Sequence, residues 1–340
     1  MGWLLLSNIF LKKEADSMYV LGIDGGGTKT AGVIADLNGN VAAKATVGPS
    51  NPNSVDLIAI EKELAKLFEA LRSQNEKAFL QIKHVFAGMS GGDHLSVRSK
   101  LNNIVTTLLP DTNITIHNDA ITALYSGTLG KPGIVQIAGT GSITYGLNKK
   151  GELGRVGGWG YLLGEKGSGY ALGNDGLKMA FLAHDGLGET TVLTDLILEH
   201  LGIPSLPDII HTIYHTENTK EWVASLSKVV VKAADHGDNV ARSIIKKHAQ
   251  FMGESISCLI RRMFTEDGPI PVVLTGGLFN RVDLFQGLIE ETLKKQDIDA
   301  ELSIPKIKPV GGAVIAALKE ENAEISNGFL DHFEISEGEK

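Results

Sequence analysis

The sequence predicts an α/β protein of two domains, each a mixed β-sheet flanked by helices. Three observations carry this. The chain opens with three apolar segments joined by tight turns and then alternates helix with strand. A second strand–glycine turn–strand stretch, at residues 133–147, repeats the plan of residues 20–46. At 340 residues the chain is long enough for two domains of about 100–200 residues each.

The elements follow in order. Residues 20–23 are an apolar run, read as a buried strand ending at Asp24. Residues 31–36 and 40–46 are two further strands around Asn38-Gly39, a dipeptide that signals a short hairpin between apolar runs. All three strands are expected to be antiparallel. The polar loop 48–53 cannot continue a strand. Leu57, Ile60, Leu64, Leu67, Phe68 and Leu71 then recur on one face of a helix over 54–73. Strand 84–87, helix 94–108, strand 114–116 and an Ala-rich helix from Ala120 come next. After the second strand–turn–strand stretch and a glycine-rich segment at 154–173, a helical insertion occupies about 170–265. Gly202 and Pro204 stop one helix there, and Asp238 is placed to cap another. Strand 272–274, helix 282–294 and strand 300–304 lead to a small-residue helix from Gly311. The acidic end, from about Glu320, is expected to be solvated and partly frayed.

These elements divide into an extension at 1–17, a first domain at 18–119 completed by the helix at about 311–325, and a second domain at 120–310. The apolar part of the extension is too short to span a membrane and lacks a cleavage pattern, so a small docking helix is expected.

Composition narrows the function. Glycine is 40 of 340 residues, about 12% against a usual 7% or so, and falls in short clusters. That pattern predicts backbone-built ligand loops rather than low complexity. A net charge of −8 argues against nucleic acid as a partner. The lone Cys258 excludes a disulfide framework and an all-cysteine metal site. It lies in an apolar helical stretch and is expected to be buried and inert. No membrane association is expected, and these features point to the cytoplasm.

The chemistry starts at residues 24–30, Asp-Gly-Gly-Gly-Thr-Lys-Thr. Successive backbone N–H groups in a glycine turn make a concavity for anions. Lys29 and the hydroxyls of Thr28 and Thr30 suit phosphate oxygens. The spacing fits neither a Walker A loop nor G-x-G-x-x-G. Taken alone, the stretch is equally a hairpin turn with a surface lysine. Asp119 stands where a general base could follow a strand, and it is equally a favoured cap for the helix that starts at Ala120.

The two Gly/Thr turns, the later Leu-Thr-Gly-Gly at 274–277 and the small-residue helix at 311–318 occur in an order that resembles the actin-like sugar-kinase and heat-shock ATPase superfamily. Further motifs resemble the BadF/BadG-type ATPase and N-acetylglucosamine kinase family: Gly-Ile-Asp-Gly-Gly-Gly-Thr-Lys-Thr at 22–30, Ser-Gly-Gly-Asp at 90–93, Asn-Asp-Ala at 118–120, Ala-Gly-Thr-Gly-Ser at 138–142, Gly-Gly-Trp-Gly at 157–160 and Gly-Ser-Gly-Tyr at 167–170. The resemblance implies two actin-like (ribonuclease H-like) domains around a deep cleft. It also implies transfer of the γ-phosphate of ATP to an amino-sugar hydroxyl, the 6-OH of N-acetylglucosamine first, with N-acetylmuramate and glucosamine as related acceptors.

By the same resemblance Asp119 is the catalytic base, and Asp24 serves Mg²⁺, in part through water. Gly26, Gly27, Thr28, Lys29, Gly139, Thr140 and Gly141 cradle phosphates, and Gly276 and Gly277 admit adenosine. Asn51, Ser90, Gly91, Asp93, Thr140, Gly158, Trp159 and Glu165 match positions around the sugar. Asn53 is an alternative to Asn51, and Trp159 is equally a core aromatic holding its loop. One departure stands out: Glu165-Lys166 occupies the place where the family commonly has Asp-Glu. A homodimer is compatible with the pattern. The alternatives are an ATPase activator of a radical dehydratase, for which one cysteine is too few, and a non-catalytic nucleotide or sugar sensor. The zinc-bearing sugar kinases are excluded by cysteine count. The histidines at 184, 200, 211, 215, 236 and 248 lack ligand spacing and are read as surface or capping residues.

Overall fold

Strand β1 (Tyr19–Gly25) is the centre of the first of two five-stranded sheets. The computed structural model describes residues 18–338 except 93, 217, 266, 267 and 327, so the expected docking helix at 1–17 lies outside the described residues. The chain divides into two units: the first runs to Gly130 and resumes at Lys306, and the second is Lys131–Pro305.

In the first unit β1 pairs antiparallel with β2 (Thr30–Asp36), which pairs antiparallel with β3 (Val41–Val47). The turn between β2 and β3 is the predicted Asn38-Gly39 hairpin. Asp36 Oδ1 accepts the N–H groups of Asn38 and Asn40 at 2.9 and 3.0 Å, and Gly39 takes φ of 89°. After α1 (Leu57–Gln74) and α2 (Glu76–Phe79), strand β4 (Ile82–Met89) adds parallel to β1. Then α3 (Leu95–Leu108) leads to β5 (Asn113–His117), parallel to β4, for a sheet order β3-β2-β1-β4-β5. The predicted face of α1 is the buried one: Ile60, Leu64, Leu67, Phe68 and Leu71 all enter the core. Asp56 caps it through Ala59 N–H at 2.8 Å.

Helix α4 (Asp119–Thr128) belongs to this first unit, although sequence alone draws the boundary before it. The reason is steric fit. A Cβ on Gly88 of β4 would lie 2.3 Å from Thr122 Cγ2, so the helix lies directly on the sheet.

In the second unit β6 (Gly133–Ala138), β7 (Ser142–Leu147) and β8 (Leu153–Gly157) form an antiparallel meander. Strand β8 is absent from the sequence reading because Gly154 and Gly157 make it look like loop; it lies at the edge of its sheet, where such a strand is tolerated. Helices α5 (Gly169–His184), α6 (Leu193–Leu201), α7 (Leu206–His215), α8 (Thr219–Ser225), α9 (Ser227–Asp235) and α10 (Asn239–Met263) make the predicted helical insertion. Strand β9 (Ile270–Thr275), helix α11 (Val282–Lys295) and strand β10 (Ala300–Ser303) complete the sheet β10-β9-β6-β7-β8. Both β6/β9 and β9/β10 are parallel, so this sheet repeats the first strand for strand.

The chain then returns to the first unit as α12 (Pro309–Glu320), with Pro in its first turn, and α13 (Phe329–Gly338). Its small residues let α12 pack closely. A Cβ on Gly312 would fall 1.9 Å from Thr122 O of α4, and one on Gly22 of β1 would fall 2.4 Å from Val314 N. The expectation of a frayed acidic end is corrected here, because Phe329 and Phe333 are fully buried.

Two further expectations are corrected on α10. Cys258 is exposed, on the side of the helix away from Met252, Ile256 and Leu259. His248 is buried at 1% exposure, so it is not a surface residue. Asp238 does cap this helix, accepting Ala241 N–H and, from the segment before α6, Val192 N–H, each at 2.8 Å. Burial pushes its carboxyl up, but these bonds and one from Thr191 outweigh burial and hold it below the usual carboxylate range. Asp238→Ala is expected to lower stability by about 1–2 kcal/mol. Because the native pKa is depressed, this contribution is complete above the unfolded value of 3.8 and is lost as pH falls below it. Denaturant melts of both proteins should therefore converge towards acid pH.

Candidate active site

In the first unit the parallel strands β1, β4 and β5 end at one level: Asp24 pairs with Gly88, and Gly88 with His117. Asp24, the Ser90-Gly91 turn and Asp119 therefore emerge at the carboxyl end of one sheet, where open α/β sheets bind ligands. The Thr122 hydroxyl lies 2.7 Å from Asp119 O and 3.3 Å from Asp24 Oδ1, tying the first turn of α4 to the end of β1. The Asp24 carboxyl is pushed up to about 7, first by burial and then by the Asp119 charge; Thr122 and Lys29 work against this. The two carboxylates thus repel one another, and Lys29 offsets only part of the effect on Asp24.

The helix cap is Asn118, whose side chain accepts Ala120 N–H at 2.9 Å. Asp119 is the next residue, in the first turn of α4, where the helix dipole favours a negative charge.

The first glycine turn closes through Gly26 N–H to Lys29 O at 2.9 Å and leaves Gly27, Thr28 and Lys29 exposed. Thr30 does not join them. It is fully buried and donates to Gly48 O at 2.8 Å or Ser50 Oγ at 2.7 Å, so its hydroxyl holds the following loop instead of a phosphate. That loop is also pinned by Ser50 N–H to Gly26 O at 3.1 Å, while Ser90 N–H reaches Gly25 O at 2.8 Å. Asn51 Nδ2 comes within 3.5 Å of Ser90 Oγ, and Asn51 Oδ1 accepts Asn53 N–H at 2.9 Å. A Cβ on Gly91 would lie 2.7 Å from Asn53 Nδ2 and 3.0 Å from Asn51 Oδ1, so both asparagines reach this turn. Asp93 lies outside the described residues.

In the second unit the turn Gly139–Gly141 closes through Gly139 N–H to Gly141 O at 2.9 Å and exposes Thr140. The start of α5 backs it: Gly169 N–H donates to Gly139 O at 2.7 Å and Tyr170 N–H to Thr140 O at 3.2 Å. Gly276 follows β9, beside the end of β6. Its φ is 107° and a Cβ there would sit 2.5 Å from Ala138 O, so only glycine fits. Gly277 is exposed, with open space where its side chain would be.

Gly157, Gly158 and Gly160 all take positive φ and swing Trp159 outward. Trp159 is 63% exposed, which removes the core reading, and the Arg155 guanidinium lies 3.9 Å over its ring. Glu165 Oε1 accepts Gly160 N–H at 2.8 Å. Glu165 Oε2 is buried and has no hydrogen-bond partner among the described residues. Such an oxygen suits a donor brought by a ligand. It lines a small cavity of about 30 Å³ with Gly158, Trp159, Ser142 and Met252, and Lys166 at its rim extends over the Phe251 ring.

Sequence reasoning passes over Thr122, the capping role of Asn118 and the pairing of His248 with Asp175. The Asp-x-x-Thr spacing at 119–122 is a usable signal for the first, since residues three apart share a helix face. Among the described residues no group of three or more His, Cys, Asp or Glu could hold a metal, and no helix is long and apolar enough to cross a membrane. The Asp24–Asp119 pair does fit a hydrated cation such as Mg²⁺, which needs few carboxylates and would offset their mutual repulsion.

Known proteins resemble this chain along most of its length. An N-acetylmuramic acid/N-acetylglucosamine kinase of Clostridium acetobutylicum is 33% identical over 309 residues, 89% of this chain and 99% of that protein. An N-acetyl-D-glucosamine kinase of Dictyostelium discoideum is 36% identical over 311 residues, 88% of this chain and 97% of that protein. A solved structure from Chromobacterium violaceum, proposed to be an N-acetylglucosamine kinase, shares the fold with a TM-score of 0.68 at 24% identity, covering 88% of this chain and 99% of that one. The fold is thus the two-domain, actin-like architecture of sugar kinases, and the family model for BadF/BadG/BcrA/BcrD ATPases matches residues 21–317. With two glycine turns, an acidic pair at the end of the first sheet and this match across both units, the chain belongs to the BadF/BadG/BcrA/BcrD ATPase family.

Proposed function

We propose that this chain is an ATP-dependent amino-sugar kinase that moves the γ-phosphate of ATP to a sugar hydroxyl, the 6-OH of N-acetylglucosamine first, with N-acetylmuramate and glucosamine as related acceptors. The observation that carries the proposal is the Asp24–Asp119 pair. Two mutually repelling carboxylates at the carboxyl end of a sheet, with Asp24 raised to about 7, suit a base and a cation-binding group. The names of both curated relatives, each matched nearly end to end, support the substrate class.

In this reading Asp119 accepts the proton of the attacking hydroxyl. Its carboxylate is relieved of capping by Asn118 and steadied by the first turn of α4. Asp24 would hold Mg²⁺, in part through water, and the ion would neutralise charge on the transferring phosphoryl group. Gly26, Gly27, Thr28, Lys29, Gly139, Thr140 and Gly141 would bind phosphates, with Gly276 and Gly277 on the adenosine. Asn51, Ser90, Gly91, Asp93, Gly158, Trp159 and Glu165 would bind the sugar, Glu165 through its unmatched Oε2. A cytoplasmic site suits an enzyme that consumes ATP.

The test is ADP release in a coupled assay with ATP and Mg²⁺ across N-acetylglucosamine, N-acetylmuramate, glucosamine and glucose. Turnover on at least one amino sugar, faster than on glucose, is expected. Turnover on none of them removes the reading.

A further inference from the structure

The second unit contains a buried polar relay that the proposed reaction does not use directly. His248 of α10 is 1% exposed. Its Nδ1 lies 2.9 Å from Gly167 N, and its Nε2 lies 3.1 Å from Asp175 Oδ2 of α5. A backbone N–H can only donate, so Nδ1 must be the acceptor and Nε2 must carry the hydrogen given to Asp175. The carboxylate therefore selects the tautomer that Gly167 needs. Burial pushes Asp175 up, but the bonds from His248 and from Lys247, 2.8 Å away, outweigh it and hold the carboxyl at about 2.

The Gly167 N–H relies on the His248 ring for its hydrogen bond. Gly167 is buried, at φ of 82°, inside the run that joins the two ligand loops of this unit. On one side Glu165 reaches back to Gly160 N–H, next to Trp159. On the other side Ser168 Oγ donates to Glu165 O at 2.7 Å and caps α5 through Ala171 N–H at 3.0 Å. Gly169 and Tyr170 then hold Gly139 and Thr140 of the glycine turn. A single accepting nitrogen thus sits at the midpoint between the Trp159 loop and the turn at 139–141.

We infer that His248, oriented by Asp175, is a positioning residue that fixes the Glu165–Gly169 run and through it sets both the Trp159 loop and the Gly139–Gly141 turn. The inference rests on the proposed function for what those loops bind, but not for the geometry itself. Its signature is which nitrogen matters. Without an acceptor at the Nδ1 position, a buried N–H is orphaned and the run loosens. Without a donor at the Nε2 position, the run keeps its anchor.

Two substitutions separate these cases. In His248→Asn the amide oxygen lies where Nδ1 was and can still accept from Gly167. In His248→Gln the amide nitrogen lies where Nε2 was and can still donate to Asp175, but Gly167 loses its acceptor. Hydrogen–deuterium exchange of peptides covering 157–171 is measured on the unliganded proteins. His248→Gln should exchange about tenfold faster or more there, and His248→Asn should stay near wild type. Where the sugar kinase assay works, His248→Gln should raise KM for sugar and ATP more than it lowers kcat, and His248→Asn should recover most of the loss. If His248→Gln does not fold, Asp175→Ala, at a partly exposed position, should release the tautomer and speed exchange in the same peptides. Equal exchange in wild type and His248→Gln overturns the inference, and so does equal loosening in the Asn and Gln variants, which would mean plain packing. The exchange result needs no substrate, so it stands or falls apart from the kinase reading, which fails on absent ADP release alone.

Discussion

Asp119→Asn is expected to lower kcat about 10²–10⁴-fold while affinities for sugar and nucleotide change little. The substitution keeps shape and removes only the proton acceptor. The helix start is untouched, because Asn118 supplies the cap through Ala120 N–H. The Thr122 hydroxyl keeps its bond to residue 119 O, a backbone contact. One further change follows from the charge: Asp119 is among the causes that raise Asp24 to about 7, so in the variant the Asp24 carboxyl should titrate lower. Steady-state kinetics, with ligand affinities by calorimetry, would check the split. A variant with unchanged kcat and raised KM would reassign Asp119 to binding.

Gly312→Ala is expected to destabilise the first unit by about 3 kcal/mol, at the upper end of ordinary overpacking. The new Cβ would meet Thr122 O at 1.9 Å and Ser126 N at 2.7 Å, both main-chain atoms of α4 that no rotamer change can move aside. Helices α12 and α4 must part, and α4 carries Asp119 and Thr122, so turnover should fall with stability. Gly287→Ala is the matched control. That glycine lies on the exposed side of α11 with nothing within 4 Å, and alanine there should stabilise by roughly 0.5–1 kcal/mol. Denaturant unfolding of the two variants beside wild type gives the answer. Equal stability of Gly312→Ala and wild type would mean the helices can separate at no cost.

Local patterns were legible where one physical signal acted alone. The Asn38-Gly39 hairpin follows from a glycine free to take positive φ at position 39, and the buried stripe of α1 from helical spacing. The repeated strand–turn–strand plan at 20–46 and 133–147 is enough to place a second sheet. Legibility failed where tertiary context decides. Trp159 is equally a core or a ligand-facing ring until its 63% exposure is seen. Thr30 resembles its neighbour Thr28 in type and differs only in which side of the strand end it faces. Cys258 was readable and misjudged: it lies two residues from buried Ile256, about 200° around the helix, so phase alone turns it outward. The acidic tail hid an i, i+4 aromatic pair, Phe329 and Phe333, whose burial outweighs the surrounding charge. His248 had no signal, since its partners Gly167 and Asp175 are far away in sequence.

The return of α12 to the first unit has a consequence for biosynthesis. The second unit is one uninterrupted stretch, Lys131–Pro305, and all of it is translated before α12 emerges. Until then the β1 surface at Gly22, where Val314 will lie, has no covering helix, and neither has the α4 backbone that Gly312 will touch. The earliest part of the chain to be made is thus the last to be completed. The later segment can close its own core first, while the nascent first sheet holds an open apolar face that α12 later covers.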